Sequence, residues 1–327
     1  MKIGILGAGG IAATMAETLK GMKQAGDDVE LYAVGARDAG RASKLANEYG
    51  FEKSYGSYEE LVADPQLELV YIATPHSHHC EHTKLCLTHG KHVLCEKAFA
   101  ANTAQAEEMI KMAEEKKLLL TEAIWTRYMP MRRTIDEVAA SGVIGKITSL
   151  SANLGYVIHQ VERIMDPALA GGALLDLTVY PINFALMVFG DQITATDAMC
   201  VKTPTGVDGQ DTVVFTYADG RMANLYTTIY AQTDRRGIIN GDRGFIQIEN
   251  INNYEVINVY DLDRKIIATY QAPEQITGYE YEVRAAIKAV REKKLECSEM
   301  PHSETIKVMK IMDGIRAKFG ITYPFEG

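Results

Sequence analysis

The chain has 327 residues, 47% of them hydrophobic and 24% charged, with a formal net charge of −9. That length fits two domains with sizeable cores, and the acidic balance excludes nucleic acid and anionic membrane surfaces as expected partners. Residues 1–30 lack the basic start and apolar core of a signal peptide, no apolar run reads as a membrane span, and Cys80, Cys86, Cys95, Cys200 and Cys297 have no paired spacing, which fits free thiols in the cytoplasm.

Up to about residue 123, short apolar strands alternate with amphipathic helices. Strands are predicted at Lys2–Leu6, Glu30–Gly35, Leu69–Ala73, His92–Leu94 and Leu118–Thr121. Helices are predicted between them, including Ala39–Tyr49 and Thr103–Lys116, the latter capped by Asn102. This rhythm predicts an N-terminal Rossmann domain, a doubly wound parallel sheet covered on both faces. After residue 145 the β-rich segments Ile147–Ala152, Asp211–Tyr217, Met222–Tyr230, Phe245–Glu249 and Tyr254–Tyr260 are separated by turn signals such as Asp219-Gly220. They predict a C-terminal domain built on an open, predominantly antiparallel sheet. One helix, Gly172–Phe189, links the two regimes, and Tyr279–Lys293 and Ser303–Phe319 are predicted to be helical. The expected division is therefore 1–123 for dinucleotide binding and 124–327 for substrate binding and oligomerisation, with helix 303–319 packing back on the first domain.

The first strand runs into Gly7-Ala8-Gly9-Gly10-Ile11-Ala12, a Gly-x-Gly-x-x-Ala turn between strand and helix. Gly7 permits the tight turn, Gly9 lets backbone approach a pyrophosphate, and Ala12 lets the helix lie close to the sheet. The helix start, with Gly10 and Ile11, offers unpaired N–H groups to phosphate. The second strand ends Val34-Gly35-Ala36-Arg37-Asp38, with Arg41 one helical turn on. Two guanidiniums after small residues favour the 2′-phosphate of NADP over NAD. Asp38 is either an acidic ribose reader one place late or the N-cap of the helix that follows. Glu96-Lys97 ends an apolar strand at the sheet's carboxyl edge, where ligands of open α/β sheets bind.

The Gly-x-Gly-x-x-Ala turn, Ala73-Thr74-Pro75, Glu96-Lys97, and Gly171-Gly172-Ala173-Leu174-Leu175-Asp176 with Tyr180 occur in that order. Over essentially its whole length the chain resembles the Gfo/Idh/MocA oxidoreductase family. Glu122–Tyr128 and Met300–Glu304 look most like its dimeric dihydrodiol dehydrogenase and NADP-xylose dehydrogenase branch. Three departures stand out: Ala98 replaces the proline of Glu-Lys-Pro, His76 replaces an asparagine, and Tyr180 stands where many members carry histidine. The resemblance implies that Thr74, Pro75, His76, His79 and Glu96 line the nicotinamide ribose.

Alcohol oxidation needs a base for the hydroxyl proton while hydride leaves carbon. Tyr180 is the expected acid/base. Lys97 would lower its pKa from about 10 by stabilising the phenolate, and the two roles could be exchanged. Asp176, four residues earlier on the predicted helix, would share its face and orient Lys97 or the substrate. Trp125 is a wall of the substrate pocket or a domain-packing residue, and Tyr156, Arg163, Tyr254 and Tyr279 are further pocket candidates from the second domain. The run His76-x-His78-His79-Cys80-x-His82 is read without a metal, because it starts a helix at the cofactor edge. The expected activity is an NADP-dependent dehydrogenase or reductase acting on a sugar such as an aldopyranose or on a trans-dihydrodiol. The alternative is a dinucleotide sensor without turnover. The uncovered sheet face predicts a homodimer or a dimer of dimers.

Overall fold

The structure, a computed structural model, describes residues 1–326. Its contacts divide the chain into two compact units. The first is Met1–Tyr128 with Glu274–Met309; the second is Met129–Pro273 with the chain from Lys310 onward.

The first unit carries the strands Lys2–Leu6 (β1), Glu30–Gly35 (β2), Lys53–Tyr55 (β3), Leu69–Ile72 (β4), His92–Glu96 (β5) and Leu120–Ala123 (β6) in the order β3-β2-β1-β4-β5-β6. Every pairing is parallel. Between the strands run Gly10–Gln24 (α1), Ala39–Tyr49 (α2), Tyr58–Ala63 (α3), His79–Thr88 (α4) and Thr103–Lys116 (α5). β4 and β6 are buried along their full lengths, as strands covered on both faces must be. The chain leaves β1 towards β2 and β3 and then returns to β4, so the strand order reverses between β1 and β4. The carboxyl ends of those two strands form the crevice of a topological switch point. Asn102 caps α5 by accepting from the Gln105 amide at 3.0 Å. β6 starts two residues later than the sequence predicts. Lys117 takes the left-handed conformation (φ 57°) and the Leu118 amide donates back to Ala113 O at 3.0 Å, so residues 118–119 belong to a helix exit. β3, only three residues long, had no legible alternation.

The second unit contains Pro130–Ala140 (α6), Ile147–Gly155 (β7), Glu162–Met165 (α7), Val179–Phe189 (α8) and the strands Ile193–Lys202 (β8), Asp208–Tyr217 (β9), Met222–Thr228 (β10), Gly237–Gly241 (β11), Gly244–Ile248 (β12), Val256–Asp261 (β13) and Ile266–Gln271 (β14). Their order is β14-β13-β12-β11-β7-β10-β9-β8. All pairs are antiparallel except β7 with β10. β8, β11 and β14 were not predicted; β14 is exposed at five of six positions and offers no apolar alternation. α8 packs on β7 and β10, over a face that buries Ala152, Val213, Leu225 and Ile246. On the opposite face Met199, Thr212, Tyr226 and Asn153 lie side by side in register across β8, β9, β10 and β7.

The predicted helix Gly172–Phe189 is helical without a break from Ala173, but Leu174–Thr178 form a wide π-helical turn before α8 begins. The stretch Pro167–Phe189 does reach the length and hydropathy of a membrane span, contrary to expectation, but its apolar window is 89% buried in the fold, as a core helix would be. The chain ends with Glu280–Arg291 (α9) and His302–Phe319 (α10). The boundary at residue 123 assigned both to the second domain, with α10 packing back. By contacts, α9 and α10 up to Met309 belong to the first unit, and α10 from Lys310 belongs to the second. Amphipathic periodicity marks which face a helix buries, not which sheet receives it.

Candidate functional site

In the first unit, the turn after β1 is shaped for close approach. Gly7 has φ +121°, and a Cβ there would lie 2.7 Å from Ala73 O, so no other residue fits. A Cβ at Gly9 or Gly10 would meet no atom within 4 Å. The N-terminus of α1 starts at Gly9 with no side-chain cap, which leaves its first amides for an anion. Ala12 is fully buried against the sheet, and Ile11 is half-buried. Arg41 Nη2 donates to Ala8 O at 2.8 Å, placing a second cation beside the turn. Asp38 Oδ1 accepts from the amides of Gly40 (2.8 Å) and Arg41 (3.1 Å); it is the N-cap of α2. Arg37 is exposed, and its charge favours the ionised Tyr58 phenol against burial. It borders a cavity of about 920 Å³ whose lining includes Tyr58, Thr74, Pro75, His78 and His82. These residues fit a dinucleotide phosphate: open backbone amides, no blocking side chain and two guanidiniums.

At the ends of β4 and β5 the predicted residues divide their labour. Both ring nitrogens of His79 face backbone carbonyls, Ala98 O and Thr74 O, each at 2.8 Å. Burial pushes this imidazole down to about 4, and a neutral ring has a single N–H, so it donates to one of these two carbonyls and packs against the other. His76 packs edge-on against it, with ring centroids 5.7 Å apart. Glu96 is held from two sides: the Tyr71 hydroxyl donates to its Oε1, and the Lys97 amide to its Oε2 at 3.1 Å. Glu282 of α9 is fully buried, and burial together with the Glu96 charge raises its carboxyl well above the usual range. Lys97 is half-buried, and its peptide bond to Ala98 is cis.

Trp125 and Tyr279 stack, with ring centroids 4.2 Å apart and planes 4° from parallel. Tyr279 therefore lies in the first unit, not the second as expected. Glu280 fixes the turn before it by accepting from the amides of Ile276, Thr277 and Gly278 at 2.9, 3.1 and 2.7 Å. Within the histidine run, His78, Glu81 and His82 bring one ligand-type atom each within 4.8 Å of one another. His82 Nδ1 lies 3.0 Å from Thr74 Oγ1. Burial, the neighbouring imidazoles and Arg37 push His82 down to about 4; the guanidinium opposes a cation there.

In the second unit, Asp176 sits on the wide turn and Tyr180 on the first turn of α8, both buried. Asp176 lies inside the wide turn and Tyr180 just past it, so how the two face each other depends on the winding of that turn. Arg163 Nη1 donates to Asp176 Oδ1 at 3.0 Å. Asp176 is thus paired with a guanidinium from the segment preceding it, a partner the sequence did not suggest. The Tyr156 hydroxyl donates to Asn252 Oδ1 at 3.0 Å and accepts from Arg235 Nη1 at 3.2 Å. Tyr254 is fully buried, before β13 rather than within it. Tyr71, Glu282 and the strand-start acids Asp208 and Asp211 were missed. The one available signal was an acidic residue on an otherwise apolar helix face or strand, as at Glu282.

A reversed parallel sheet with an uncapped glycine-rich turn and a basic strand end defines a dinucleotide-binding protein. Residues 1–124 match the oxidoreductase family with an NAD-binding Rossmann fold, and residues 132–247 match the GFO/IDH/MocA C-terminal domain. The chain belongs to the GFO/IDH/MocA oxidoreductases. It is 32% identical over 330 residues to trans-1,2-dihydrobenzene-1,2-diol dehydrogenase of Homo sapiens, covering 99% of this chain and 98% of that one. It is 33% identical over 367 residues to D-xylose 1-dehydrogenase (NADP(+)) of Hypocrea jecorina, covering 99% and 93%. In fold it is similar to KijD10, a 3-ketoreductase from Actinomadura kijaniata in complex with NADP and TDP-benzene (TM-score 0.87, 24% identity, 97% of each chain). It is also similar in fold to levoglucosan dehydrogenase in complex with NADH and levoglucosan (TM-score 0.86, 20% identity, 98% and 97%).

Proposed function

We propose that this chain is an NADP-dependent dehydrogenase or reductase that moves hydride between nicotinamide and a CH–OH carbon of a sugar-like or cyclic diol substrate. End-to-end similarity to a dihydrodiol dehydrogenase and an NADP-linked xylose dehydrogenase carries the proposal. A sugar and an arene-derived diol share neighbouring hydroxyls on a compact carbon frame, which is the substrate chemistry inferred here. NADP is preferred to NAD because Asp38 is committed to capping α2 while Arg37 is exposed and can meet a 2′-phosphate.

Gly7, Gly9, Gly10, Ile11 and Ala12 would hold the pyrophosphate at the start of α1, with Arg37 and Arg41 on the adenosine side. Thr74, Pro75, His76, Glu96 and Lys97 would border the nicotinamide ribose, and His79 would hold their loops in place. Bound nicotinamide supplies or accepts the hydride. Tyr180 would exchange the hydroxyl proton, Lys97 would stabilise its phenolate, and Asp176, steadied by Arg163, would orient the substrate hydroxyl. Trp125 backed by Tyr279 would form an aromatic wall, with Tyr156 and Tyr254 as second-unit contributors. The uncovered sheet face, with Met199 72% exposed and Tyr226 38% exposed, is assigned to a homodimer or dimer of dimers. Five free thiols fit a reducing cytoplasm.

The test is a fluorescence titration with NADPH and NADH, followed by oxidation of D-xylose and trans-1,2-dihydrobenzene-1,2-diol with NADP+. Turnover with tighter NADPH binding is expected, and Tyr180→Phe should lower kcat by about 10²-fold or more. Tight NADPH binding without turnover on either compound would favour the sensor reading instead.

A further inference from the structure

Two acids of the second unit are buried where a sheet core disfavours them. Asp208 and Asp211 open β9, and each is 1% exposed. Residues three apart on a regular strand face opposite sides. Here the register slips: Val201 pairs with Gln210 but Lys202 pairs with Asp208, leaving Gly209 as an extra residue. That bulge turns both aspartates to the same buried side.

On that side they hold the two ends of the wide turn. The Leu174 amide donates to Asp208 Oδ2, and the Thr178 hydroxyl donates to Asp211 Oδ2 at 2.7 Å. Thr227 of β10 brings its hydroxyl 2.6 Å from Thr178 Oγ1. Gly172 (φ +112°) makes room, since a Cβ there would fall 2.3 Å from Asp208 Oδ1. The other oxygens, Asp208 Oδ1 and Asp211 Oδ1, find no N–H or O–H donor among the described residues. Two neighbouring buried carboxyls do not both ionise, and one proton between these oxygens satisfies both. Burial raises both groups, and the Asp208 charge raises Asp211 further. Asp211 therefore keeps the proton, while Asp208, accepting a backbone amide, carries the charge.

We propose that Asp208 and Asp211 form a proton-sharing clasp that fixes the wide turn Leu174–Thr178 and so act as positioning residues for Asp176 and Tyr180. This rests on the assignment of Asp176 and Tyr180 to the reaction. A wide turn is one residue inserted into a helix. Relaxing it to α-helix would rotate the chain before Leu174 relative to α8 by about 100°, and Asp176, inside the turn, would rotate relative to Tyr180 by part of that.

The clasp has a distinctive mutational signature. In Asp211→Asn the amide oxygen accepts from Thr178 and its N–H replaces the shared proton. In Asp208→Asn the oxygen accepts from Leu174 and the N–H serves an ionised Asp211. In the double variant two N–H groups oppose each other with no acceptor. The experiment measures hydrogen exchange of the 172–180 amides, NADPH affinity, and kcat and KM with D-xylose or the dihydrodiol. Each single variant should stay within about threefold of the parent, whereas the double variant should exchange these amides, and lose kcat, by about tenfold or more with NADPH affinity unchanged. Thr178→Val, which releases one end without placing an unpaired amide in the core, should move exchange and kcat in the same direction. If the double variant does not fold, Thr178→Val decides the question. Parental exchange and kcat in Thr178→Val, or double-variant effects that merely add the single ones, would overturn the clasp. If Tyr180→Phe leaves turnover intact, the assignment of Tyr180 fails, and the exchange comparison still judges the clasp alone.

Discussion

Glu122 offers a direct measure of what a buried acid costs this fold. It lies near the end of β6, 1% exposed, just before the turn that carries Trp125. Its Oε2 accepts from the Thr305 hydroxyl at 3.1 Å, while Oε1 has no donor among the described residues. Burial pushes the carboxyl from the ordinary 4.5 up to about 7, against the opposing pull of Thr305 and Arg127. Folding therefore raises the affinity of this acid for its proton. The stability it contributes is whole below about pH 4.5, drains away as pH rises to about 7, and stays lost above that. A difference of about 2.5 between 4.5 and 7, at 1.36 kcal/mol each, amounts to about 3 kcal/mol. Glu122→Gln copies the protonated acid in shape and cannot ionise. Relative to the variant, the parent should lose about 3 kcal/mol between pH 4.5 and pH 7.5, or about 5–10 °C in Tm. Other buried acids such as Glu282 are common to both proteins and cancel in the difference. Thermal melts of parent and variant across that range give the result directly. A variant-minus-parent difference that stays flat with pH would refute the account of Glu122 as a buried, proton-holding acid.

Arg37→Ala should weaken NADPH binding by about 5–30-fold, a discounted 1–2 kcal/mol because the side chain is exposed, and leave NADH binding unchanged in paired titrations. Asp38→Ala is the control: it should cost about 1 kcal/mol of stability in urea melts as a lost N-cap, whereas a loss of NADH affinity would make Asp38 a ribose reader after all. His79→Ala removes the ring packed between the Thr74 and Ala98 carbonyls and its one hydrogen bond to them, and cofactor affinity should fall by about tenfold in the same titration. Tyr226→Asp, placing a charge in the middle of the exposed row on β8, β9, β10 and β7, should give a monomer by light scattering if that face is the dimer interface.

What could be read from the sequence was chemistry confined to neighbouring residues. The glycine turn after β1 and the Asn102 cap follow from residues a few positions apart, where steric and hydrogen-bonding rules act locally, and the parallel pairing of the first sheet follows from the strand–helix rhythm. The illegible part depends on partners brought together by folding. Trp125 meets Tyr279, Glu96 meets Tyr71, Asp176 meets Arg163, and Asp208 joins Asp211 only because Gly209 bulges. The wide turn was invisible because composition does not distinguish π from α winding, and Leu174–Thr178 reads as ordinary helix. Glu122 and the missed acids Glu282, Asp208 and Asp211 share a physical trait: each is buried with at least one oxygen lacking a donor among the described residues, and each carries a raised carboxyl pKa. Replacing such groups by apolar ones of similar shape would often leave a fold as stable or more so. Stability therefore does not account for them. Their places suggest another account: Glu122 precedes the turn of Trp125, the Glu96 charge acts on Glu282, and the aspartates hold the turn of Asp176. Their cost in folding is coherent if what they provide is the aim of the side chains beside them.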